Sequence, residues 1–78
     1  MTIDDQIKDN IRQAIPDAQI EVAGNGRHFS ITVISSEFEG KRPLAKQQLV
    51  YSAIAPLMAG LDAPVHAVDS LKTLTPSS

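Results

Sequence analysis

Two histidines are the residues of this chain whose type offers the most chemistry. His28 opens a run of β-favouring residues, and His66 lies in a second such run near the C-terminus. If the two runs form neighbouring strands of one sheet, the imidazoles can bind a soft or borderline metal ion through their neutral ring nitrogens. Sequence spacing does not distinguish such a site from two ordinary, partly exposed rings, and both interpretations stand at this point.

The chain contains no cysteine, which excludes disulfides and thiolate ligands of its own. Any metal would need histidine, carboxylate or a ligand from another molecule. There is no phosphate-binding glycine loop, no His-Glu-x-x-His and no nucleophile signature, so we predict that the protein is not an enzyme. Gly24-Asn25-Gly26 is too short for a nucleotide loop and is typical of a hairpin turn.

A modest basic cluster is the other candidate for binding. Its cations could contact phosphate or an acidic partner, but a net charge of −2 favours an ordinary solvated surface. One Tyr and two Phe would supply a nucleic-acid stacking surface poorly. The residues of this candidate partner or nucleic-acid surface are Arg27, Lys41, Arg42 and Lys46.

Two segments have the apolar periodicity of helices. Residues 3–15 carry isoleucine at every fourth position, and Pro16 ends the segment. Residues 43–59 begin with a proline, which suits a first helical turn, and we expect the helix to end at Gly60. We expect Pro56 either to kink this second helix or to start a separate short turn. The isoleucines of the first helix are Ile3, Ile7, Ile11 and Ile15.

Three further segments, residues 18–23, 28–35 and 65–74, have the composition of strands, and residues 35–42 are predicted to be a loop. The resulting order is α-β-β-α-β, a three-stranded sheet with helices packed on one face. The second strand alternates strictly between polar and apolar positions. Its apolar face, which we expect to anchor both helices, consists of Phe29, Ile31 and Val33.

Length and composition indicate a single domain over residues 1–78, with a polar tail at about 75–78. No apolar run approaches the roughly 20 residues that a membrane span needs. The N-terminus is acidic and lacks the features of a signal peptide. We therefore expect a soluble, cytoplasmic protein.

Several motifs together, in this order, resemble the BolA-like family over nearly the whole chain. The segment Lys46-Gln47-Gln48-Leu49-Val50-Tyr51 is most similar to the IbaG branch of that family. The resemblance implies an α+β, class II KH-like fold, in agreement with the element order above. The other motifs are His28-Phe29, Phe38-x-Gly40, Val65-His66-Ala67-Val68 and Lys72-Thr73-Leu74-Thr75-Pro76.

The resemblance implies an adaptor that partners a monothiol glutaredoxin. In that family the two proteins can share a glutathione-bound [2Fe-2S] cluster for iron–sulfur trafficking or iron and redox sensing, and the BolA-like protein supplies histidine. The family's main ligand corresponds to His66. A second His or Cys usually comes from the loop between the first two strands, and here His28, at the edge of that loop, is the candidate. A homodimer is left open.

Two departures from the family pattern affect these expectations. Lys46-Gln47-Gln48 stands where Arg-His-Arg is common, which weakens a contact with DNA. The tract from His66 to Pro76 is one residue longer than usual, which predicts a β-bulge near Asp69-Ser70.

The alternative functions are a KH-like nucleic-acid-binding transcriptional regulator of stress or cell morphology, and a plain interaction module without metal.

Overall fold

The elements follow one another in the order that the sequence predicts. A computed structural model describes residues 2–25, 28–60 and 63–76. The predicted α+β arrangement with the order α-β-β-α-β is confirmed. The elements are α1 (Ile3–Ala14), β1 (Gln19–Asn25), β2 (His28–Ile34), a short 3-10 turn (Ser36–Phe38), α2 (Pro43–Met58) and β3 (Ala67–Leu74).

The sheet has the order β1-β2-β3, with β2 in the centre. β1 pairs with β2 in antiparallel register, from Gln19 opposite Ile34 to Asn25 opposite His28. β3 pairs with β2 in parallel, because α2 carries the chain back to the end of the sheet where β2 begins. The starts of β2 and β3 therefore lie side by side.

Both helices cover one face of this sheet. The predicted apolar face of β2 is confirmed, since Phe29, Ile31 and Val33 are buried while His28 and Ser30 are exposed. Full burial of an aliphatic or aromatic side chain stabilises a fold by about 1.5–3 kcal/mol, so this alternation fixes which face the helices cover. The helix residues of the same buried cluster are Ile7, Ile11, Val50 and Ile54.

The start of α1 is a capping box. The Thr2 hydroxyl accepts a hydrogen bond from the Asp5 backbone N–H at 3.2 Å. The Asp5 carboxylate in turn accepts one from the Thr2 backbone N–H at 3.4 Å. Two of the backbone donors that a helix leaves unpaired at its start are thereby satisfied.

The predicted turn position was wrong. Gly24 and Asn25 belong to β1, and Gly26, the last residue of the predicted turn, lies outside the described residues. Glycine favours turns through its conformational freedom, but here its missing side chain makes room for an aromatic ring. A Cβ atom on Gly24 would lie 2.5 Å from Cδ1 and Cε1 of Phe29, its partner across the strand pair.

Two other expectations also need correction, and one of the two alternatives at Pro56 is ruled out. β3 begins at Ala67, so His66 precedes the strand instead of lying in it. Of the two outcomes expected at Pro56, the separate short turn does not occur, because α2 continues as one helix to Met58. The apolar pattern over residues 43–59 includes Leu44, but this side chain is 65% exposed in the first turn of α2.

The predicted loop over residues 35–42 contains an anchor to the core. Phe38, within the 3-10 turn, is completely buried in the main cluster. The start of this turn is held by Asp17, whose carboxylate accepts hydrogen bonds from the Ser35 hydroxyl at 2.5 Å and from the Ser36 hydroxyl at 2.7 Å. These hydrogen bonds lower the pKa of Asp17 below its ordinary value. They also join the α1–β1 connection to the end of β2.

Candidate functional site

The two histidines lie together at one end of the sheet. His28 is the first residue of β2, and its pairing partner in β3 is Ala67, the residue after His66. The centroids of the two imidazole rings are 5.5 Å apart, with an angle of 57° between the ring planes. Both residues are exposed. The parallel pairing thus joins two side chains that are 38 positions apart in the sequence.

Buried neighbours hold both histidines in place. Phe29 follows His28 and packs into the core, so the preceding side chain projects from the opposite face of the strand. On the other segment, Val65 is completely buried, and its backbone N–H donates to the Leu57 carbonyl at 3.1 Å. His66 therefore projects from a segment that is anchored to the end of α2.

Asp69 is the third side chain of this site. The register of β3 against β2 shifts between Phe29 and Ser30, which pair with Val68 and Ser70. Asp69 is therefore the extra residue of a β-bulge, and the predicted bulge is confirmed. Its Oδ1 lies 3.2 Å from Nδ1 of His28, and the two side chains are 61% and 52% exposed.

Sequence reasoning located this bulge but missed its contact with His28. The signal was available, because an extra residue in a strand changes the direction in which its side chain points. His28 and Asp69 also line a shallow, open depression with Ser30 of β2 and with two small residues of β1, Ala23 and Gly24.

The site offers few ligands of its own. No group of three His, Cys, Asp or Glu side chains suited to a metal ion occurs among residues 2–25, 28–60 and 63–76. The whole chain also lacks cysteine. Two imidazoles leave at least two positions of a four-coordinate metal unfilled, so a stable metal complex would need donors from another molecule.

Three of the four predicted basic residues lie away from this site. Lys41 and Arg42 precede α2 and Lys46 lies in its first turns, at the end of the sheet where β2 finishes. His28 is at the other end of β2, six residues before Ile34, which corresponds to about 20 Å along an extended strand. Arg27 lies outside the described residues. Lys41, Arg42 and Lys46 are therefore separate from the histidines.

The match to a family model decides which protein family the chain belongs to. A model described as "BolA-like protein" matches residues 4–78. The chain belongs to the BolA-like family. The acid stress protein IbaG of Escherichia coli K12 is 32% identical to the chain over 72 residues, which are 92% of this chain and 82% of that protein. The predicted resemblance to the BolA-like family is thereby confirmed, and IbaG is among the similar proteins.

Other relatives support the same assignment. An uncharacterized protein from the rpoN–murA intergenic region of Acinetobacter guillouiae is 36% identical over 64 residues, which are 82% of this chain and 75% of that protein. The structure of a BolA protein homologue from Coxiella burnetii superimposes with a TM-score of 0.78. It is 32% identical, and the match covers 99% of this chain and 95% of that one. In the part of the chain that the structure describes, neither helix is both long and apolar enough to cross a membrane.

Proposed function

We propose that this BolA-like protein is a non-enzymatic adaptor that binds a monothiol glutaredoxin and co-ligates a glutathione-bound [2Fe-2S] cluster through His66. The observation that carries the proposal is the pair of exposed imidazoles, with ring centroids 5.5 Å apart, at one end of the sheet. The family relationship favours a monothiol glutaredoxin as the partner. The role of this adaptor would be iron–sulfur trafficking or iron and redox sensing.

The donor set of this chain fits a shared site better than an independent one. Iron–sulfur clusters are held mainly by thiolates, sometimes with histidine in place of cysteine. This chain has no thiolate to offer. Its two histidines are exposed, so a ligand-bearing loop of another protein can approach them without unfolding any part of the core. A cysteine from the glutaredoxin and one from glutathione would supply the remaining donors.

The two histidines have different parts in this proposal. His66 is the main ligand, held by the anchored Val65 beside it. His28 is the secondary candidate, close enough to bind the same cluster or to take over when His66 leaves it. When bound, such a cluster would supply one-electron redox chemistry. The chain's contribution is a neutral imidazole, which carries no charge where a thiolate would carry one.

That difference in charge has two physical consequences. Replacing a thiolate by imidazole raises the reduction potential of a cluster, as histidine ligation does in other iron–sulfur proteins. An imidazole is also released once it is protonated, so the complex should lose this ligand more readily in mild acid. Both properties suit a cluster that must be sensed or handed over.

Reconstitution tests the proposal. The full chain would be mixed with a monothiol glutaredoxin, glutathione, iron and sulfide, and the visible absorption and circular dichroism of the purified complex recorded. We expect a coloured heterodimer whose spectrum changes in His66→Ala, with a smaller change in His28→Ala. Glu39→Gln is the matched control, because it alters an exposed side chain after the 3-10 turn, beyond the opposite end of β2. An unchanged spectrum and cluster lifetime in His66→Ala would remove His66 from the site.

The same proteins distinguish the alternative functions. A transcriptional regulator should bind DNA with a salt dependence whose slope decreases when Lys41, Arg42 and Lys46 are replaced by glutamine. A plain interaction module should bind glutaredoxin equally well without iron and sulfide. Either result, in the absence of a coloured complex, would contradict the proposal.

A further inference from the structure

The β-bulge of β3 has a chemical consequence at the histidine pair. In a regular strand, successive side chains alternate between the two faces of a sheet. The extra residue of a bulge is left out of that pairing, and its side chain can take a new direction. Here the extra residue is Asp69, and its carboxylate lies beside the ring of His28 on the neighbouring strand.

The contact is specific for one ring nitrogen. Oδ1 of Asp69 is 3.2 Å from Nδ1 of His28. A carboxylate can only accept a hydrogen bond, so this contact requires a proton on Nδ1. In the neutral ring the lone pair then lies on Nε2, the nitrogen that remains available to a metal. Metal-binding histidines commonly donate their other ring N–H to a carboxylate in this way.

We propose that Asp69 is a positioning residue that fixes His28 in the Nδ1–H tautomer and thereby directs ligation to Nε2. The assignment of Asp69 follows from the contact itself, whereas its effect on ligation rests on the proposed function. His66 carries no corresponding contact with Asp69 among the hydrogen bonds of the described residues. Asp69 therefore acts on one histidine of the pair.

Nuclear magnetic resonance of the chain alone tests the tautomer. Long-range proton–nitrogen correlations of 15N-labelled histidine would be recorded at a pH where both rings are neutral. We expect Nδ1 of His28 to be the protonated nitrogen. In Asp69→Ala the population should shift toward the Nε2–H form, which a histidine free in water prefers. Ser70→Ala, at the same bulge, should leave both rings unchanged.

Two results would overturn the assignment: an Nε2–H tautomer of His28 in the unsubstituted chain, or the same tautomer in Asp69→Ala. Loss of folding does not complicate the measurement, because the Asp69 side chain is 61% exposed. A thermal unfolding curve of each variant checks that point.

The reconstituted complex tests the effect on ligation. Removing a carboxylate that orients a metal-binding histidine usually lowers metal affinity about 10–100-fold. The comparison uses a His66→Ala background, in which His28 is the remaining histidine. In that background we expect Asp69→Ala to make cluster loss about 10–100-fold faster. Equal rates would overturn the positioning role. Failure of the proposed function is seen separately, as the absence of a coloured complex with the unsubstituted chain.

Discussion

The close approach of Gly24 and Phe29 leads to a prediction about stability. The structure determines whether a side chain at position 24 lowers or raises the free energy of unfolding. A Cβ atom on Gly24 would lie 2.5 Å from Cδ1 and Cε1 of the Phe29 ring. Carbon atoms pack at about 3.5–4.0 Å, so Gly24→Ala requires the ring to move by about 1 Å. The Phe29 side chain is only 4% exposed and packs in the core, where such a movement disturbs its neighbours.

Two opposing effects set the change in the free energy of unfolding in Gly24→Ala. Overpacking a well-packed core costs about 1–3 kcal/mol. Replacing glycine by alanine at an ordinary backbone conformation stabilises by about 0.4–1 kcal/mol, because the unfolded chain loses freedom. Gly24 is not among the glycines with positive φ, so it qualifies for that gain. The steric effect is the larger one, and we expect a net loss of about 1–2 kcal/mol.

The assay is thermal unfolding followed by far-ultraviolet circular dichroism, with urea unfolding as the check on free energy. For a domain of this size, 1 kcal/mol changes Tm by about 4–8 °C, so Gly24→Ala should lower it by roughly 4–16 °C. The urea midpoint should fall with an unchanged slope, since the surface exposed on unfolding is the same.

The matched control is the same substitution in a Phe29→Val background. Valine has no δ or ε atoms, so the steric conflict disappears and only the gain from the unfolded chain remains. In that background Gly24→Ala should be neutral or stabilising by up to about 1 kcal/mol. If Gly24→Ala lowers stability equally in both backgrounds, or does not lower it in the natural sequence, the account of this glycine is wrong.

Two further predictions concern the segment after β2. Asp17→Asn should make Tm depend less on pH in the acid range. The hydrogen bonds from Ser35 and Ser36 hold the pKa of Asp17 below its ordinary value of 3.8. The contribution of Asp17 to stability is therefore complete above that value and is lost as the pH falls through the lowered pKa. Equal slopes of Tm against pH in the acid range for both proteins would contradict this. Phe38→Ala should cost about 3–5 kcal/mol in urea unfolding, because the ring is fully buried. Glu39→Ala, an exposed neighbour, should change stability by less than about 0.5 kcal/mol, and similar losses for both would refute the anchoring role.

The local elements could be predicted from the sequence because each depends on a short-range pattern. Isoleucine at every fourth position specifies a buried stripe, in which Ile7 and Ile11 of α1 and the next residue after the helix, Ile15, are completely buried. The alternation around Phe29 specifies which face of β2 the helices cover. The bulge at Asp69 was also predictable, although from family resemblance and not from periodicity.

Tertiary structure decided which distant residues meet. Nothing local to His28 or His66 specifies that they lie together. The distance between them follows from the parallel register of β2 and β3, which depends on how α2 returns the chain across the sheet. Phe38 lies in a polar segment without periodicity, and only the shape of the core explains its burial.

The sequence alone therefore determined the element order, the two candidate histidines and the absence of a thiolate ligand. These are properties of residue type and of spacing over a few residues. The folded chain decided that His28 and His66 lie side by side, that Lys41, Arg42 and Lys46 lie at the other end of the sheet, and that Asp69 contacts a ring nitrogen of His28. Those relations depend on strand register, where a single extra residue redirects a side chain.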